Sequence, residues 1–281
     1  MNQFNPDFHA DDSQRSMAND DENNAGQPRQ KPTGTALVPV RPSSLYGVES
    51  DPREEVWSIL EKAVRTDAEV PRSWRRRKAA DARAAAVQAF DQLRTQLLQA
   101  VRSDNLKRIA IAAPLAGNGS TFAAVNLARS LARVPGIKSV LLDLNLRNPG
   151  VADMIGVETD GDMDEFLTGE VSFFEHLVRY SEGLALGVSE SPRPNASDLL
   201  QSAIVAGTVK EMEQILRPDL VLLDMPPILE YDDLNAILPH VDGVLLVADG
   251  THTQARHIEE CERLIKKRSK LLGVVLNRAR A

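Results

Sequence analysis

The chain has 281 residues, enough for one large domain with a tail. Charged residues make up 26% and aromatic ones only 4%, and the formal net charge of -7 argues against nucleic-acid binding over the whole surface. Cys261 is the only cysteine, so no intramolecular disulfide can form, which suits a reducing compartment.

The start, MNQFNPDFHADDSQ, lacks the basic and apolar regions of a signal peptide. No apolar run approaches the ~18 residues of a membrane span. Both observations predict a cytoplasmic protein. Residues 1–52 are rich in Asn, Asp, Gln, Ser and Pro, and across 1–55 acidic residues outnumber Lys and Arg by 10 to 5. Such a segment buries too little surface to offset its ordering entropy, so a disordered acidic and polar tail is expected over 1–52. A helical lead-in is expected over 53–103. Its first part, REEVWSILEKAVRT (53–66), reads as an amphipathic helix with Val56, Ile59, Leu60 and Val64 on one face. Its second part is alanine-rich and of high helix propensity. That part opens on Arg72, Arg75, Arg76, Arg77 and Lys78, which suit either a solvated face or a contact with anionic lipid or an acidic partner.

From residue 104 to 281 strands and helices alternate, which predicts an α/β domain. Strands are expected at 107–113, 138–143, 184–188, 219–224, 242–247 and 271–276, and helices near 119–134, 197–216, 232–239 and 254–268. Short helices and loops are expected across 149–182. Most strand candidates are continuous apolar runs (SVLLD, DLVLLD, GVLLVAD), the mark of a mostly parallel sheet with helices on both faces.

The first of these strands runs into KRIAIAAPLAGNGSTFAAVNLARSLARV. A glycine turn there aims backbone N–H groups at an anion before a helix N-terminus, the construction of a phosphate loop. The pattern G-x-x-x-x-G-K-[ST] is only partly kept. Gly119 and Thr121 hold their places, Ser120 stands at the lysine position, and Pro114 stands at the first glycine. Taken alone, the string also suits an ordinary strand-to-helix turn. Two later strands end on Asp143 and Asp224, at the carboxyl edge where ligands of parallel sheets bind. Acidic groups beside a phosphate loop can hold magnesium and orient a nucleophile.

From about Gln88 onward the chain resembles the cytoplasmic domain of bacterial tyrosine kinases. These are P-loop proteins that accompany capsular and exopolysaccharide assembly and are related to the division-site and partition ATPases. The strings that carry the resemblance are AFDQLRTQL, GNGST with AAVNLARSLA, LLDLNLRNPG, RPNASDLLQS, LVLLDMPPILEYDD, HVDGVLLVADG and GVVLNR. The resemblance implies a P-loop NTPase fold that takes ATP and Mg2+. It implies that Gly117, Asn118, Gly119, Ser120, Thr121 and Phe122 surround the nucleotide phosphates, with Thr121, Asp143 and Asp224 at the metal. Asp143 and Asp224 would be the catalytic carboxylates, Asn277 would lie near the adenine, and residues 247–249 would help wall that pocket. It also implies a partner, a membrane polysaccharide chain-length regulator or export protein, and a position peripheral to the inner membrane, with self-association.

Four departures weaken the expected activity. Ser120 replaces the lysine, and Asn145 replaces the second aspartate of D-x-D. The assembly motif E-x-x-R-x-x-R appears as Gln88, Asp91 and Arg94. The family's tyrosine cluster is missing, and the tyrosines are Tyr46, Tyr180 and Tyr231. Three readings follow: a kinase-fold protein of polysaccharide export with a weakened nucleotide site, a working tyrosine kinase whose missing cation comes from Arg147 or a neighbour's Arg94, and a partition-ATPase-like scaffold.

Overall fold

The computed structural model describes residues 51–66 and 76–279, with side chains from 51–66 and 84–279. The expected tail, and the side chains of Arg72, Arg75, Arg76, Arg77 and Lys78, lie outside the described residues. Helix α1 (Pro52–Ile59) and a two-residue strand β1 (Glu61–Lys62) precede the long α2 (Arg76–Asp104). Then come β2 (Arg108–Ala112), α3 (Ser120–Leu131), β3 (Ser139–Asp143), α4 (Val151–Ile155), α5 (Met163–Thr168), α6 (Phe173–His176), β4 (Val178–Ser181) and β5 (Leu184–Gly187). The chain continues through α7 (Ala196–Leu200), α8 (Ala203–Leu216), β6 (Leu220–Asp224), α9 (Asp233–Ile237), β7 (Gly243–Asp249), α10 (Ala255–Ile265) and β8 (Lys270–Asn277).

The strands form one eight-stranded sheet in the order β1-β4-β5-β3-β6-β2-β7-β8. Every pairing is parallel except β4 with β5. Buried strands with apolar residues at every position must be covered twice, and they are. Ala110, Leu142, Leu223 and Leu246 point to one face with Phe166, Met212 and Ile265. Ile109, Leu141, Leu222 and Leu245 point to the other with Leu97, Leu127 and Leu131. Both α2 and α3 lie on this second face. They are joined there by Asp91, which accepts from the Ser130 hydroxyl at 2.5 Å and from the Arg133 guanidinium.

The expected strands and the phosphate-loop helix stand where the apolar runs predict. Two expected helices differ. The helix expected over 53–66 ends at Ile59, because Leu60 turns extended and Glu61–Lys62 pairs with β4. Its buried face is Trp57 and Leu60, while Ile59 and Val64 are exposed. Trp57 donates its indole N–H to the Leu216 carbonyl at 2.8 Å, and the Lys138 ammonium lies 5.1 Å from its ring. The helix expected over 197–216 is two helices, with Ser202 capping α8 through its hydroxyl, which accepts from the Ile204 N–H at 3.3 Å. Strand β4, inside the stretch read as loops, is half-buried along its length and so carries no apolar run.

Candidate nucleotide site

The loop between β2 and α3 is shaped by two glycines in the left-handed region, Gly117 at φ 76 and Gly119 at φ 99. A side chain at Gly119 would be excluded twice over, by its φ and by the Asn277 amide nitrogen, which would stand 2.3 Å from an added Cβ. Ser120 then opens α3, so the free N–H groups of its first turn face the loop. The loop is braced from behind. Asn118, almost fully buried, accepts from the Leu115 N–H and the Thr253 hydroxyl, each at 3.2 Å. Its backbone carbonyl accepts from the Asn277 side chain at 3.0 Å. Asn118 therefore shapes the loop with its side chain turned away from the cavity in front of it.

That cavity has a volume of about 780 Å3, and Gly117, Gly119, Ser120, Thr121, Phe122 and Asn277 all line it. Phe122 stands edge-on to Phe90, with ring centroids 5.8 Å apart. Residues 247–249, expected to help wall the base end, are buried strand and do not line this cavity, whereas Asn277 and Arg278 do. Asp249 instead accepts from the Thr251 hydroxyl and backbone N–H and from Arg278, and these bonds hold its carboxyl down at about 2.

Parallel pairing in register brings Asp143 and Asp224 side by side at the ends of β3 and β6. Both are fully buried. Asp143 accepts from the Gly150 and Val151 N–H groups at 2.9 Å and from the Asn145 N–H at 3.2 Å. Asp224 accepts from the Thr121 hydroxyl at 2.7 Å, while its other oxygen is buried without a partner. Burial pushes the Asp143 carboxyl up to about 6, against the pull of the three N–H groups. Burial, then the neighbouring Asp143 charge, raises Asp224 well above the ordinary carboxylate range, with the Thr121 hydroxyl opposing. Two like charges this close share a proton unless a cation neutralises them. The orphaned Asp224 oxygen, the paired carboxylates and the Thr121 hydroxyl fit a divalent cation with oxygen preference. Among the described residues no cluster of three or more His, Cys, Asp or Glu side chains occurs that could hold a metal. Such a cation would thus draw its remaining ligands from phosphate oxygens and water.

The positive charge is the weak part. Arg147 lines the cavity, but its Nε and Nη2 donate to both oxygens of buried Asp233 at 2.8 and 2.9 Å, its Nη1 donates to the Pro194 carbonyl, and it lies over the Tyr231 ring. Arg278 also lines the cavity and is paired with Asp249 at 2.8 Å. Arg94 is held by Asp91 and the Ser130 carbonyl of its own chain. Sequence reasoning missed Glu230, whose carboxylate accepts from the Ala116 N–H of the loop at 2.7 Å. An acidic residue shortly after the DMPP string is the signal that could have drawn notice to it.

A glycine-shaped loop at a helix N-terminus, with two carboxylates at adjacent strand ends of a mostly parallel sheet, defines a P-loop NTPase fold. The chain belongs to the family of bacterial tyrosine kinases. It is 32% identical over 181 residues to the tyrosine-protein kinase CpsD of Streptococcus pneumoniae serotype 4, a match spanning 62% of this chain and 77% of that protein. It is 31% identical over 177 residues to the succinoglycan biosynthesis transport protein ExoP of Rhizobium meliloti, covering 60% of this chain but 22% of that longer protein. The kinase domain of the Escherichia coli tyrosine kinase ETK superposes with a TM-score of 0.64 at 25% identity, over 84% of this chain and 98% of that domain. No protein-family profile matches the chain. Among the described residues no helix is long and apolar enough to cross a membrane.

Proposed function

We propose that this chain is a tyrosine-kinase-fold component of capsule or exopolysaccharide synthesis whose nucleotide site binds magnesium-ATP weakly and transfers phosphate poorly. Its role in that reading is to regulate a membrane chain-length or export partner from the cytoplasmic side, with residues 104–281 as the nucleotide fold and 53–103 as the lead-in. The observation that carries the reading is Ser120 at the position of the phosphate-binding lysine, beside a cavity whose two arginines are both paired. Magnesium, when bound, would neutralise charge at the β- and γ-phosphates. Thr121, Asp143 and Asp224 would hold it, the N–H groups of 117–121 would cradle the phosphates, and Asn277 would border the base.

Each of these groups orients the nucleotide, and none replaces the missing cation where transition-state charge develops. The test is incubation of the full chain with magnesium and γ-labelled ATP, beside an Asp224→Asn control. We expect phosphotyrosine no higher than in the control. Label that accumulates in the wild type and vanishes in the control would overturn the reading. A second reading, a working kinase, rests on Arg147, which already stands at the cavity and would need only to exchange Asp233 for phosphate.

A further inference from the structure

The end of the sheet away from the nucleotide cavity carries a concentrated positive charge. Residues 263–270, RLIKKRSK, hold five cations and no carboxylate in a chain of net charge -7. They form the last turn of α10, the connection after it and the first residue of β8. Lys270 pairs in register with Gly243 at the start of β7, whereas Asn277, at the far end of the same strand, lines the nucleotide cavity. Lys270 and the nucleotide cavity therefore occupy opposite ends of β8.

Arg263, Lys266 and Lys270 are 63%, 65% and 62% exposed at their side chains and make ion pairs with Glu260, Glu262 and Asp104. Such exposed pairs hold little energy and leave the cations available to a stronger field. Among the described residues Lys267 makes no ion pair, and Arg268 reaches only the Asn235 carbonyl, at a long 3.4 Å. These two side chains flank a polar cavity of about 390 Å3, bordered also by Gln201, Asp232 and Asn235. The Asp232 carboxylate there accepts from the Asn235 amide at 2.7 Å. Asp242, just before β7, is occupied by the N–H groups of Lys107 and Arg108 at 2.7 and 2.8 Å.

We propose that residues 263–270 are a docking surface for the phosphate headgroups of an anionic lipid membrane. A protein partner would call for an apolar or aromatic anchor at the centre of the patch, and nucleic acid for aromatic stacking platforms. The patch has no aromatic residue, and of its apolar residues Ile265 is buried while Leu264 is half-buried and borders the polar cavity without standing out from it. Diffuse cations around a polar pocket match a surface of repeated anionic headgroups, and each Lys or Arg near such a surface strengthens binding about five-fold.

The experiment is flotation of the full chain with phosphatidylglycerol–phosphatidylcholine vesicles and with phosphatidylcholine vesicles alone, at low and high salt. The chain should float with the anionic vesicles only, and high salt should release it, because surface charges are screened beyond a Debye length. The double variant Lys267→Ala/Arg268→Ala should bind about twenty-five-fold more weakly. It removes exposed side chains, and an unchanged thermal midpoint confirms that it folds. Equal flotation with neutral vesicles would overturn the proposal, as would no flotation at all. Undiminished binding of the folded double variant would assign the contact to another part of the chain, which also overturns it.

Discussion

Placing a lysine at position 120 tests what the phosphate loop lacks. Ser120 is the first residue of α3 and lines the cavity, so a Ser120→Lys ammonium can extend over the loop toward the β- and γ-phosphates. A charge-assisted hydrogen bond contributes about 1.5–3 kcal/mol, or roughly ten- to hundred-fold in affinity. Ser120 is only half-buried, so solvent screening favours the lower half of that range. A cation at a helix N-terminus opposes the helix dipole and costs a few tenths of a kcal/mol in the empty protein. The free protein should therefore melt slightly earlier, while the nucleotide complex gains. Calorimetric titration of both proteins with magnesium-ATP reads the difference directly. Tight wild-type binding that the lysine fails to improve would refute the reasoning. It would mean that Arg147 leaves Asp233 for the phosphates and that the working-kinase reading is correct.

Three more outcomes follow from the same geometry. Folded Asp143 keeps its proton to about pH 6, against 3.8 in its ordinary state, so unfolding releases a proton between those values. The metal-free protein should lose stability as pH rises from about 4 through about 6, read as a falling thermal midpoint, with added magnesium restoring it. Asp224→Asn removes one member of the buried like-charged pair, so at pH 7 it should raise the metal-free midpoint and abolish the gain from magnesium. Gly119→Ala should cost about 1–3 kcal/mol in urea unfolding, because position 119 lies at positive φ against the Asn277 amide.

How much of this was legible in the sequence depended on how each segment is buried. SVLLD and DLVLLD are covered on both faces, so their apolar runs announce strands and place Asp143 and Asp224 at the strand ends. The edge strand β1 and its neighbour β4 carry no such signal, since EK is exposed and VRYS is half-buried. The periodicity of residues 53–66 suggested a longer helix because it ignored the turn at Leu60 and the indole of Trp57, which fixes α1 through a bond to Leu216. Side-chain direction was the least legible property. Asn118 lies in the loop, yet its amide braces Leu115 and Thr253, and only the fold brings Thr253 alongside. The same holds for Arg147, whose pairing with Asp233 spans 86 residues of sequence.

The charge balance of the site ties the departures from the family pattern together. The resemblance implies a lysine at 120 and an aspartate at 145, and this chain has neither. One cation and one anion are lost, so the formal charge around the cavity is what the family pattern would give. The buried pair Asp143 and Asp224 keeps the charge that a divalent cation would neutralise, and the Asp224 oxygen without a partner keeps a place for it. In the proposed reading the lysine would serve both the bound nucleotide and the transition state, while the second carboxylate would serve the transition state alone. The lysine would meet charge developing on the transferred phosphate, and the second carboxylate would act on metal or nucleophile. In that reading a site altered in this paired way binds nucleotide weakly and transfers phosphate poorly. Restoring lysine alone should therefore raise affinity more than turnover, and only Ser120→Lys combined with Asn145→Asp should raise both. A turnover gain from the lysine alone as large as the gain in affinity would show that Asn145 is indifferent, and the charge-balance argument would fail.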